Sequence, residues 1–142
     1  MRLTDKEIYS LMKQNIVSFT ATCDDTGATV TAKLYPDFTL HVTISGAANG
    51  KIVTVNTPFG FKLVDLMCIA TGTVTTGTLT AKNSTDAITS AVVVTTDKVI
   101  TRTTLIDDEY YEFTAGDNDL KLVVATGSGD MECIAILDIL PT

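Results

Sequence analysis

Few residues in this chain could do chemistry. There is one histidine, His41, and there are three cysteines, Cys23, Cys68 and Cys133. A single histidine cannot supply the paired ligands of an HExxH zinc helix, and no cysteine stands beside it to make a Cys–His pair. His41 alternates with threonines on the polar side of its stretch and reads as a solvated histidine. The nucleophile elbow GxSxG, the phosphate-cradling P-loop lysine motif and the dinucleotide fingerprint GxGxxG are absent. The cysteine count is odd and shows no CxxC spacing. Cys68 and Cys133 lie in apolar runs and read as small buried hydrophobes, with a Cys68–Cys133 disulfide left open.

Two acidic clusters carry hard oxygen ligands, Asp107-Asp108-Glu109 and Asp117-Asn118-Asp119. Neither follows the twelve-residue calcium loop, and both read as solvated turns. Tyr110-Tyr111, with aromatics at 6% and no tryptophan, makes a poor sugar-stacking platform. The expectation is no catalytic, cofactor-binding or metal-binding residue, and no enzyme.

Charge narrows the partners. The net charge is −7, and the ten basic residues are scattered rather than clustered. A phosphate backbone or an anionic membrane surface needs a basic patch, so neither nucleic acid nor membrane is expected. No apolar run reaches the ~20 residues that span a bilayer. Asp5, Lys6 and Glu7 interrupt the first apolar residues, so no signal-peptide core is expected. With the cysteine pattern, this points to folding in a reducing cytoplasm. Charged residues are 19%, and threonine takes their place, a β-branched residue that suits a pleated strand while offering water a hydroxyl.

The elements that must position these residues follow from periodicity. Thr4 and Glu7 form a capping box, and Ile8, Leu11 and Met12 continue at helical spacing, which predicts a short amphipathic helix over residues 4–14. Strict alternation over 16–23, 28–35 and 38–45 predicts a three-stranded meander. The run Gly46-Ala47-Ala48-Asn49-Gly50 reads as a linker, dividing residues 1–50 from 51–142. Beyond it, eight strands are predicted over 51–57, 60–71, 76–83, 87–95, 99–106, 109–114, 120–126 and 131–140. Eight short strands joined by polar turns predict an all-β fold, a jelly-roll-like antiparallel β-sandwich.

Two strands are apolar on both sides. In the first, which follows the breaker Thr57-Pro58-Phe59-Gly60, Val64, Leu66, Cys68 and Ala70 make one face, and Leu63, Asp65, Met67 and Ile69 the other. In the last, Cys133, Ala135, Leu137 and Ile139 oppose Ile134, Ile136, Asp138 and Leu140. An antiparallel sheet normally turns a polar face to water, so a covered outer face is expected, beneath the first fifty residues or a neighbouring subunit. The candidate interface residues are Ile8, Leu11, Met12, Leu63, Met67, Ile69, Ile134 and Ile136.

Residues 51–140 resemble the β domain of head fibre and capsid decoration (cement) proteins of tailed bacteriophages. The likeness rests on Val55-Asn56-Thr57-Pro58-Phe59-Gly60-Phe61-Lys62 with Val64-Asp65, on Lys82-Asn83 and Asp86-Ala87-Ile88-Thr89, on Leu105-Ile106-Asp107-Asp108, and on Ala115-Gly116-Asp117 leading into Leu120. It implies a jelly-roll-like homotrimer without an active site, bound to the major capsid protein on the outside of the virion. The helix and meander would then face the capsid or a sister subunit. A lectin-like or receptor-binding module of a phage fibre, built on the same fold, is the alternative.

Overall fold

The structure, a computed structural model, describes residues 4–7, 16–48, 50–75, 77–83, 86–94, 100–104, 106, 112–113, 120–125 and 128–139. Residues 5–7 are helical and are capped as expected, with the Glu7 amide donating to the Thr4 hydroxyl at 3.2 Å. Ile8, Leu11 and Met12 lie outside the described residues.

The rest is β-structure: β1 (Val17–Cys23), β2 (Thr29–Leu34), β3 (Thr39–Ala47), β4 (Ile52–Asn56), β5 (Phe61–Thr75), β6 (Gly77–Asn83), β7 (Asp86–Ala87), β8 (Val92–Val94), β9 (Thr101–Arg102), β10 (Glu112–Phe113), β11 (Leu120–Ala125) and β12 (Ser128–Ile139). All pairings are antiparallel, in the order β10-β5-β12-β3-β2-β1-β4-β11-β6-β7, with β9 also on β5 and β8 also on β6. The sheet curls into two layers at β1. Residues 17–19 of that strand pair with β2, and residues 20–23 pair with β4. The links β3–β4, β5–β6 and β11–β12 all pass from one layer to the other, as in a jelly-roll-like sandwich.

The topology runs across the expected boundary at 46–50. The meander lies within the sheet, with β3 against β12 and β1 against β4, so the two regions share one core. Of the small residues that suggested a linker, Gly46 and Ala47 close β3, and Gly46 and Gly50 take φ of 78° and 82°, a conformation that glycine adopts without penalty.

The core lies between the layers. Leu40, Val42 and Ile44 of β3, Leu66 and Cys68 of β5, and Cys133 and Ala135 of β12 face Val53 and Val55 of β4, Leu79 of β6, and Leu120 and Leu122 of β11. At one end four phenylalanines run edge to face and then stack. Phe19 meets Phe59 at 5.6 Å, Phe59 meets Phe61 at 6.3 Å, and Phe61 stacks on Phe113 at 4.5 Å and 10°. Phe59 comes from the breaker before β5, which therefore also delivers a core side chain.

Carboxylates tie the loops. Asp25 accepts from the amides of Gly27 and Ala48, each at 3.0 Å, joining the β1–β2 turn to the end of β3. Asp130 sits in a β-bulge of β12 and accepts from the Ser45 hydroxyl at 2.9 Å and the Gly46 amide at 3.0 Å. Its side chain lies over Gly72 of β5, where an added Cβ would come within 2.6 Å of Oδ2 and 3.1 Å of the Asp130 Cβ. Gly72→Ala is therefore expected to push the carboxylate off β3, lowering stability by about 1–2 kcal/mol in urea denaturation. Asp130→Ala should cost a similar amount, and the double variant little more, since both break one contact.

Threonine hydroxyls also tie segments to one another. On the side away from β1, the Thr101 hydroxyl donates to the Val93 carbonyl, linking β9 to β8. Ser90 shares hydroxyl contacts with Thr103 at 2.9 Å and Thr104 at 3.1 Å. Within the segments predicted as full strands over 87–95 and 99–106, the described residues pair as β8 on β6, β9 on β5 and a bridge between Thr89 and Ile106.

Candidate functional site

The outer face of the β5–β12–β3 layer is the most organised surface among the described residues. Its register is direct. One row across the strands reads Lys33, His41, Ile134, Met67, Arg102. The next row on one side reads Thr31, Thr43, Glu132, Ile69, and on the other Thr39, Ile136, Asp65. Met67, Ile69, Ile134 and Ile136 thus form one contiguous apolar stripe, and each is half-buried.

One expected interface residue is misplaced. Leu63 is fully buried in the core, whereas its neighbour Val64 points outward, 52% exposed. The cause is a β-bulge. Ile136 pairs with Asp65 and Leu137 with Leu63, so Val64 and Asp65 together oppose one partner residue. The extra residue inverts the inside–outside alternation across it, so Leu63 joins Leu66, Cys68 and Ala70 on the inner face. In β12 the alternation holds: Cys133, Ala135 and Leu137 face in, and Ile134 and Ile136 face out.

A polar pair flanks the stripe on each side. Arg102 Nε reaches Asp65 Oδ2 at 2.8 Å, and His41 Nδ1 lies 2.9 Å from Glu132 Oε1. His41 is tied further. Its Nε2 lies 3.1 Å from the Thr39 hydroxyl, which donates to Asp37 Oδ1 at 2.6 Å, and Tyr35 packs against the ring at 4.1 Å. The neighbouring turn places Phe38 at φ 64°, an uncommon conformation for an aromatic residue, with its carbonyl accepting from the Leu137 amide at 3.1 Å.

A hydroxyl, an imidazole and a carboxylate in this order resemble a hydrolytic triad, but the protons run the wrong way. A nucleophilic hydroxyl must hand its proton to the imidazole, whereas Thr39 directs its single proton to Asp37. The cluster fixes side chains on a sheet surface, and His41 is held by neighbours rather than simply solvated. His41–Glu132 was not legible in the sequence, since the residues are 91 apart and meet only through the β3–β12 pairing.

Two of the described carboxylates, Asp37 and Asp25, act as structural anchors. The Thr39 hydroxyl holds the Asp37 carboxyl below the usual carboxylate range, and the Ala48 and Gly27 amides do the same for Asp25. A carboxylate whose pKa is lowered by folding stabilises the fold above its unfolded pKa, and that contribution disappears as the pH falls through the folded value. Stability is thus expected to hold near neutrality and to drop below pH ~4. Asp25→Asn should make the acid side of a melting-temperature profile shallower. The clusters at 107–109 and 117–119 lie outside the described residues, and among those described no group of three or more His, Cys, Asp or Glu could hold a metal ion. No described helix is long and apolar enough to cross a membrane.

The opposite layer differs. Its outward residues include Thr54, Thr78, Thr80, Lys82 and Lys121, with Ile52 and Val123 among them. The two outer faces of one sandwich are therefore chemically unlike. No family model matches this chain, and neither the curated proteins nor the solved structures contain a match.

Proposed function

We propose that this protein is a non-enzymatic structural component, a capsid decoration (cement) protein that forms a homotrimer on the outside of a tailed-phage head. The observation that carries the proposal is the stripe of Met67, Ile69, Ile134 and Ile136, flanked by Asp65–Arg102 and His41–Glu132. An apolar centre with a polar rim is the anatomy of a protein–protein contact. The hydroxyl-rich opposite face suits a particle's exterior, and three copies acting together would turn modest contacts into firm attachment. The resemblance of residues 51–140 to phage head proteins supports the major capsid protein as the partner.

The test is to mix the purified protein with expanded, undecorated phage heads and image them. Added density on the outer surface, lost when residues 1–15 are deleted from a still-folded protein, is the expected result. Bare heads, together with specific glycan binding on an array, would favour the lectin-like module instead.

A further inference from the structure

We propose that Cys68 and Cys133 are a built-in disulfide site, closed when the chain folds in the presence of a small-molecule disulfide, which staples the two longest strands together. The two residues are direct partners in the β5–β12 pairing, and both are buried on its inner face.

The hydrogen-bond pattern fixes which kind of pair they make. Leu137 donates its amide to Phe38, so the backbone groups of residues 137, 135 and 133 point to β3. On the other strand Leu66 accepts from the Thr103 amide, so the backbone groups of 66 and 68 point to β9. Cys133 and Cys68 therefore face each other as a non-hydrogen-bonded pair, whose Cα atoms lie about 4.5 Å apart with their side chains close. That spacing is within the range a disulfide spans, about 4.4–6.8 Å. Both thiols are free in this structure.

The chemistry balances by exchange. The Cys68 thiolate attacks one sulfur of the small disulfide and releases one small thiol. The Cys133 thiolate then attacks the Cys68 sulfur of the mixed disulfide and releases the second. Two electrons and two protons leave the chain with the two thiols. Timing follows from burial. In the folded protein the sheet covers both sulfurs, and burial pushes the Cys133 thiol well up, with Cys68 adding to the shift, so the Cys133 thiolate that closes the bond is scarce. The bond should form while β5 and β12 come together and hardly at all afterwards.

The experiment uses the full chain with Cys23→Ser, which removes the third thiol. The protein is refolded from urea in oxidised and reduced glutathione, quenched in acid, alkylated and weighed; a folded, reduced sample is incubated in the same buffer. Expected from refolding are a species lighter by two hydrogens, a proteolytic peptide joining Cys68 to Cys133, and a melting midpoint higher by about 10 °C that dithiothreitol abolishes. The folded sample should stay reduced over the same period. Refolded protein in which both cysteines carry alkyl groups or glutathione would overturn the site, and equally fast linking in the folded sample would overturn its timing.

Discussion

Phe61→Ala is expected to lower stability by about 3–5 kcal/mol, the usual cost of removing a buried aromatic side chain and leaving a cavity. Phe61 has no exposed surface, stacks on Phe113 and meets Phe59 edge to face, so its loss removes two aromatic contacts as well as apolar burial. A domain of this size has about 5–15 kcal/mol in total, so the variant should be close to unfolding at room temperature. Urea denaturation followed by circular dichroism reads this as a fall in midpoint at constant slope. Val64→Ala, on the outward side of the same strand, should cost less than ~1 kcal/mol. A Phe61→Ala loss as small as that of Val64→Ala would mean that the core is not organised around this end of the sandwich.

The second large effect is on association. Ile134→Lys places a charge at the middle of the outer stripe, in one row with Lys33, His41, Met67 and Arg102. Ile134 is half-buried on the sheet's outer side, so the chain should fold nearly as well as before. In the proposed trimer the same charge would be buried without a partner at every contact. Residues central to an interface typically cost about 2 kcal/mol or more when disrupted, which is ~30-fold or more in affinity. Sedimentation over a dilution series should show the variant dissociating at concentrations where the wild type stays assembled. Lys121→Glu, on the threonine-rich layer, should leave assembly unchanged.

Where the hydrophobic pattern was strict, the sequence was a good guide. β2 alternates Thr29, Thr31 and Lys33 outward with Ala32 and Leu34 inward, and β3 and β12 follow the same rule, because an alternating strand has one register that buries its apolar set. β5 was harder. Residues 63, 64, 66, 67, 68, 69 and 70 are all apolar, so a bulge at Val64–Asp65 costs the pattern nothing and leaves no trace in it. The run at 46–50 resembled a linker because small residues also serve at strand ends, and only the pairing of β3 with β12 and β1 with β4 places the strands on its two sides in one sheet. The phenylalanine series, His41–Glu132 and the facing of Cys68 by Cys133 all join residues distant in the chain. Their chemistry was visible in the sequence, but their proximity depends on the fold.

The most direct test of the central claim, that the stripe on the outer face of β5 and β12 is a contact between copies of this chain, is the mass of the purified protein by size-exclusion chromatography with light scattering. The proposal predicts a wild-type particle of three chains of 15.1 kDa each and a single chain for Ile134→Lys. A wild-type mass of one chain at every concentration would contradict it.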